Sequence, residues 1–485
     1  MVVASEARGT FDFVVAANRL PVDRVTEADG TSRWQASPGG LVTAMDAVMQ
    51  GQSAAWVGWA GDPGEDVAPF DRDGIRLHPI VLTADEVRGY YEGFSNETLW
   101  PLYHDVIVPP RYRRSWWASY QRVNTRFAEA IAKVAAPGAT VWIHDYQLQL
   151  VPALLRALRS DLRIGWFNHI PFPPVELFGQ LPWRRAVLRG LLGADFLGFQ
   201  RSNDAANFTR ACHQLLGTSS SGDTITWSGA EDGLIGAEPR RTRTATVPIS
   251  IDFRSMDELA RTPEVRRRAR EIRASLGNPQ TVLLGIDRLD YTKGIRHRLR
   301  AISELFGDGA IAAPEVTLLQ IATPSRERVS AYQDLRSQVD GQVGRINGDH
   351  SGIGATAVHY LHHSYPKEEM AALFQAADVL LVTPLRDGMN LVAKEYVASR
   401  WDGGGALVLS EFTGAAQELS QAFLCNPHDI AGLKETILAA MREEPASARK
   451  RMLAMRRRVR SHDVHAWARH YLSALEAAPQ KPNRR

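Results

Sequence analysis

Cysteine is nearly missing from this chain: Cys212 and Cys425 are the 2 cysteines in 485 residues, far apart and each beside apolar neighbours. A disulfide framework or a thiolate metal site needs more than that, so buried free thiols in a reducing compartment are expected. Long apolar runs are missing too. No stretch reaches the roughly 18 residues that a bilayer-spanning helix needs, which argues against a membrane partner. Neither sign of charge dominates, because 57 basic and 54 acidic side chains leave only +3. No global field results that would gather nucleic acid. The opening MVVASEARGT has no signal-peptide pattern, and a cytoplasmic location is expected.

What is present, 44% hydrophobic residues and 38 glycines, suits a soluble globular enzyme. At about 150 residues per domain the length implies roughly two to four domains. From about Leu216 to Thr244 the composition turns to Ser, Gly, Asp and Arg, a loop or β-ribbon that closes a first domain, 1–245. Residues 246–462 then form a second domain, and 463–485 a helix plus a disordered tail. The basic tract RKRMLAMRRRVRS, 449–461, repeats Met452, Met455 and Val459 at helical spacing, which reads as a solvated amphipathic helix rather than a nucleic-acid surface.

Chemistry concentrates at Val379 to Glu395, VLLVTPLRDGMNLVAKE. The run VLLVT has the continuous apolar, β-branched character of a parallel strand buried on both faces. Pro384 and Gly388 make the loop, and Met389, Val392, Tyr396 and Val397 recur at helical spacing. Backbone N–H groups near Met389, Asn390 and Leu391 are then unpaired donors at a helix start beyond the carboxyl edge of a sheet, which is a phosphate seat. Glu395, one turn on, reaches a diol such as that of ribose, and Asp387 a sugar hydroxyl.

Other strand ends carry polar groups. DFVVAA, 12–17, leads to Arg19, which either grips an anion or pairs with a carboxylate. Gly39 and Gly40 precede an apolar helix and let a phosphate approach backbone N–H groups, or simply form a turn. YYEGFSNETLWPLY, 90–103, has neither strand alternation nor helical spacing, so a loop or short helix with its rings turned to a cleft is expected. TVWIHDYQ, 140–147, and RIGWFNHIPFP, 163–173, put His144, Asp145 and His169 where open α/β sheets bind ligands. In TVLLGIDRLDYTKG, Arg288 and Lys293 bracket a loop, where they can converge on a diphosphate or pair with Asp287 and Asp290. Arg326 follows a strand at a helix start, where a cation opposes the helix dipole and so needs another reason to be present.

PLRDGMNLVAKEY, RLDYTKG, HDYQLQL and HIPFPP resemble the motifs of trehalose-6-phosphate synthases, which are retaining GT-B glycosyltransferases. The resemblance covers the chain from Asn18 to about Glu476. It implies an α/β fold of two Rossmann-like, doubly wound parallel-sheet domains facing a central cleft, with the last helix crossing back to the first domain. It implies glucose transfer from a nucleotide diphosphate glucose to glucose 6-phosphate with retention. A related enzyme using another phosphorylated acceptor, such as glycerol 3-phosphate or an aminocyclitol phosphate, is the alternative. By the same resemblance His169, Asp387, Arg288 and Lys293 are catalytic. Gly39, Gly40, Tyr365, Met389, Asn390, Leu391, Val392, Ala393, Lys394 and Glu395 join Arg288 and Lys293 on the donor. Arg19, Trp59, Tyr91, Trp100, Asp145 and Arg326 bind the acceptor. A homo-oligomer without metal or cofactor is implied, since fixed cations replace a metal at the diphosphate. The single Asp-x-Asp, Asp71-Arg72-Asp73, falls in a turn before a strand.

Overall fold

A computed structural model describes residues 10–26, 32–37, 53–227 and 239–479, together with positions 42, 45, 48 and 49. Gly39, Gly40 and the last residues of the tail lie outside the described residues. The chain divides into two compact units, one of residues 1–248 and 467–485, the other of 249–466.

The first unit is built on a sheet whose strands lie in the order Ser219–Ser221, Thr224–Trp227, Arg240–Thr246, Phe196–Phe199, Arg163–Phe167, Ala135–His144, Phe11–Arg19, Ala54–Trp59, Ile75–Ile80 and Phe70–Arg72. All pairs from Arg240–Thr246 to Ile75–Ile80 are parallel, and antiparallel ribbons finish both edges. The order of connection reverses between Phe11–Arg19 and Ala135–His144, so the crevice of a doubly wound sheet opens past Arg19 and His144. The runs that form these central strands are apolar without alternation because helices cover both faces: Val14, Val15, Val141, Trp142 and Ile143 are all fully buried.

The second unit repeats the scheme with Val358–Leu361, Val316–Thr323, Thr281–Arg288, Val379–Val382, Ala406–Ser410 and Phe423–Cys425, every pair parallel. Its reversal falls between Thr281–Arg288 and Val379–Val382, where Leu283 pairs with Val379. The basic tract is the helix Pro445–Ser461, and Met452, Met455 and Val459 form its buried face. Both cysteines are buried free thiols.

Residues 90–103, expected as a loop or short helix, are helical throughout. They continue a π-helix, Val87–Leu99, and the helical turn Trp100–Tyr103. A capping box starts the segment: Thr83 and Glu86 exchange side chain to backbone hydrogen bonds of 3.0 and 3.2 Å. Its wider turn has no 3.6-residue period to betray it. Gly89 and Gly93 then bring it close to the helix Arg114–Val134, since a Cβ on Gly93 would lie 2.5 Å from the Trp116 ring. Tyr90 and Tyr103 are buried in core rather than turned outward.

The last helix, Val464–Glu476, gives the first unit its aromatic cover. Tyr471 stacks on Trp142 at 4.1 Å, and Trp467 Nε1 donates to the Val247 carbonyl at 3.1 Å. Gly165 and Gly198, on neighbouring strands, leave room for that ring; a Cβ on Gly165 would meet the Tyr471 hydroxyl at 2.5 Å. Gly165→Ala is therefore expected to destabilise the protein by about 1–3 kcal/mol through overpacking. Thermal melting measures this, and an unchanged midpoint would show that the ring does not lie there.

Candidate functional site

At the reversal point of the first unit, Arg19 ends its strand with its guanidinium 4.9 Å above the Trp59 ring. Tyr91 stands edge-on to Trp59 at 6.0 Å, so these three side chains form one array of cation, indole and phenol. Arg19 also pairs with Asp23 at 3.1 Å; both are about 40% exposed, so the pair contributes little stability and the cation remains open to exchange. Trp100 is buried, 4.1 Å from the His104 ring and 5.7 Å from Tyr146. Asp145 has φ of +74°, a conformation that a non-glycine residue adopts at a cost. This turn lets Asp145 Oδ1 accept the His169 backbone N–H at 3.3 Å. The His169 ring in turn meets the His144 ring, Nε2 to Nδ1, at 3.1 Å. Burial drives His169 down to about 3. His144 falls well below its ordinary range through burial and then through His169, so both rings are neutral.

At the reversal point of the second unit, two loops are tied together. Gly294 has φ of +64° and its Cα lies against the Thr383 carbonyl, where any Cβ would collide. Leu385 N–H donates to the Thr292 carbonyl at 2.7 Å. This closure brings Lys293 Nζ to 2.7 Å from Asp387 Oδ2, which also accepts from Asn390 Nδ2 at 3.2 Å. Asn390, with φ of +108°, caps the helix Leu391–Ser399 through Oδ1, taking the Ala393 N–H at 3.0 Å. The Leu391 and Val392 N–H groups, in the first turn, have no intrahelical acceptor and mark the positive end of the helix dipole.

Arg288 is about half exposed and stands 3.9 Å from Asp290 Oδ2. The same oxygen accepts from Arg326 Nη1 at 3.2 Å and from the Tyr332 hydroxyl at 3.1 Å. Burial alone would raise the Asp290 carboxyl, but Arg326, Arg288, Lys293 and the Thr292 N–H outweigh it and hold it at about 2. Asp287 does not pair with Arg288. It turns inward to Arg298 at 2.8 Å, and Arg298 also reaches Gln320 and Thr383.

A match to the model of glycosyltransferase family 20 extends over residues 11–477. The chain belongs to glycosyltransferase family 20. It is 56% identical over 477 residues to the trehalose-6-phosphate synthase of Mycolicibacterium paratuberculosis, with 97% of each chain covered. It is 56% identical over 469 residues to that of Mycolicibacterium smegmatis, covering 97% of this chain and 93% of the relative. Among solved structures, one from E. coli bound with UDP-2-fluoro glucose superposes with a TM-score of 0.87 at 31% identity, covering 97% of this chain and 100% of the other. An α,α-trehalose-phosphate synthase from Burkholderia xenovorans in complex with glucose-6-phosphate superposes at 0.86 with 33% identity, covering 96% and 100%. The fold is GT-B.

Against that family 20 pattern, three expectations need correction. The Lys394 side chain, expected on the donor, is spent elsewhere: its buried ammonium donates to Glu418 and to the Ile249 carbonyl, at 2.7 and 2.8 Å, because this fully buried charge needs a partner carboxylate. The Ala393 N–H, also expected on the donor, is spent on the Asn390 cap. The helix after Arg326 begins only at Ser330, so Asp290 and Tyr332, not a helix start, account for that arginine. Its φ of +49° shows the backbone bent to deliver it. Tyr365 stands beyond the edge strand Val358–Leu361, edge-on to His363 at 4.8 Å. Glu395 is half-buried, and burial pushes its carboxyl up, against the opposing pull of Lys367. Tyr332 was missed in the sequence, and Asp290, read there only as a partner for Arg288 and Lys293, was missed as the anchor of Arg326.

Asp290 carries a pH dependence whose sign follows from its depressed pKa. Its folded value of about 2 lies below the ordinary 3.8, so its stabilisation is complete above the unfolded value and disappears as pH falls through the folded one. Asp290→Asn is expected to lower the melting temperature at pH 7 and to flatten the acid limb between about pH 4 and 2. Melting curves across that range check it; a parallel acid limb would show that Asp290 is not held low.

Proposed function

We propose that the chain transfers glucose from a nucleotide diphosphate glucose to glucose 6-phosphate, giving α,α-trehalose 6-phosphate with retained configuration. The observation that carries this is the convergence of Lys293, Asp387 and the first turn of the helix Leu391–Ser399 at one reversal point. The listening groups for a diphosphate are then a fixed ammonium and unspent helix-start amides, a seat that needs no rearrangement.

As the anomeric bond breaks, negative charge grows on the departing diphosphate and positive charge on the sugar ring. Arg288, Lys293 and the N–H groups of Leu391 and Val392 stabilise the first, and preorganised donors of this kind are worth about 3 kcal/mol each. Asp387, its Oδ2 fixed by Lys293 and Asn390, is assigned to a sugar hydroxyl. The attacking hydroxyl passes its proton to the leaving phosphate oxygen on the same face, so no protein nucleophile is required. Arg326, held by Asp290 and Tyr332, is assigned to the acceptor phosphate. Asp290 and the Tyr332 hydroxyl both accept from its Nη1, which fixes the guanidinium plane.

Incubating UDP-, GDP- and ADP-glucose with glucose 6-phosphate tests the reaction and its base preference; turnover with glycerol 3-phosphate and none with glucose 6-phosphate would replace this reading with the alternative acceptor. Lys293→Ala is expected to lower kcat about 100-fold, the loss of one preorganised donor. Arg326→Ala is expected to raise the acceptor KM at least about tenfold, as a charged hydrogen bond requires, with the donor KM little changed. The reverse ordering would show the assignment of Arg326 to be wrong. Metal-independence is proposed as well, and full loss of activity on chelation with EDTA would refute it.

A further inference from the structure

His144 and His169 share one proton between their facing nitrogens, His144 Nδ1 and His169 Nε2, 3.1 Å apart. Which ring supplies it decides what His169 can offer elsewhere. The far nitrogen of His144, Nε2, is buried and has no hydrogen-bond partner among the described residues. His144 is fully buried, with the Trp142 ring at 4.9 Å on one side and Phe167 at 6.4 Å on another. An idle lone pair is tolerated in such a place far better than an N–H with no acceptor.

We infer that His144 carries its proton on Nδ1 and donates it to His169 Nε2, which fixes His169 as the tautomer protonated on Nδ1. His144 is thus a positioning residue: it turns His169 into a hydrogen-bond donor and removes it as a proton acceptor at its outer nitrogen. The opposite arrangement would bury an orphaned N–H on His144, a penalty of about tenfold or more in population. The same geometry keeps His169 neutral. A doubly protonated His169 would force the His144 proton onto the partnerless Nε2, in addition to burying a charge. Among the described residues, Asp145 is also in contact, its Oδ1 accepting the His169 backbone N–H at 3.3 Å.

The family resemblance that makes His169 catalytic also places it beside the donor glucose; on that reading the outer N–H donates to an oxygen of the sugar and takes no proton during transfer. A ring bound to His144 on one nitrogen and to the sugar on the other cannot rotate without breaking both bonds. This separates its role from that of a general base, which would need a lone pair at the outer nitrogen.

Solid-state nitrogen spectra of the full-length protein labelled at its histidine rings test the tautomer directly, with His169→Asn and His144→Asn as assignment controls. The expected result is a protonated Nδ1 and a bare, hydrogen-bonded Nε2 for His169; a protonated Nε2 overturns the inference. Two variants test the positioning. His144→Asn keeps a donor near the Nδ1 position and should retain kcat within about threefold, while His144→Leu leaves His169 free to change tautomer and should lose about tenfold or more with the acceptor KM unchanged. Should the leucine variant fail to fold, the spectra of the unmodified protein decide alone. The expected tautomer with full activity in His144→Leu would support the proton assignment and overturn the place of His169 at the sugar.

Discussion

The contact between Gly294 and the Thr383 carbonyl is the constraint on which the second unit's chemistry depends. Two neighbouring parallel strands diverge at a point of reversal, and their loops would separate unless something held them. Gly294 allows the closest approach, in a backbone conformation that L side chains avoid. Lys293 then falls beside Asp387, and Asn390 binds that same carboxylate while capping the next helix. Cation, carboxylate and helix start are thereby fixed relative to one another before any ligand arrives. This preorganisation is what makes electrostatic stabilisation effective, since no reorientation is needed as charge develops.

Beneath these loops runs a second tier of buried, paired charge. Arg298 is completely buried and ties Asp287, Gln320 and Thr383 across three strands. Lys394 answers Glu418 in the same way. Removing one partner of such a pair leaves an uncompensated charge in low dielectric, which costs about 3–5 kcal/mol. These pairs therefore make the loop positions all-or-none. Asp290 bridges the two tiers, because one of its oxygens gathers Arg326 and Tyr332 from below while Arg288 stands nearby with half its side chain exposed.

The first unit reaches a similar end with aromatic and histidine side chains. Its reversal point holds Arg19 over Trp59, and a turn with positive φ at Asp145 that seats His169. Its sheet is steadied by Trp142, Tyr471 and Trp467 stacked on one face, a contact made possible by glycines on two adjacent strands. Most of the rings in residues 90–103 serve as core for this unit; Tyr91, half-buried, is the one that joins the Arg19 array.

By itself the sequence determined the layering. Unbroken apolar runs such as FVVAA, VLLVT and ALVLS require parallel strands covered on both faces, and the loops after them carry the arginines, lysine and carboxylates that define the chemistry. Its motifs were long enough to name a family, and Lys293 and Asp387 were legible from them. Only the tertiary structure decided which of those polar groups face outward. Lys394 and Glu395 are neighbours in one motif, yet a helix turns them about 100° apart, so one meets Glu418 and the other stays half-exposed. The π-helix at Val87–Leu99 escaped because its period matches neither strand nor α-helix. The pairings of Arg326 with Asp290 and of His169 with His144 escaped for a more general reason: the partners lie 36 and 25 residues apart. Pairings across such separations are set by strand order, which a linear reading does not contain.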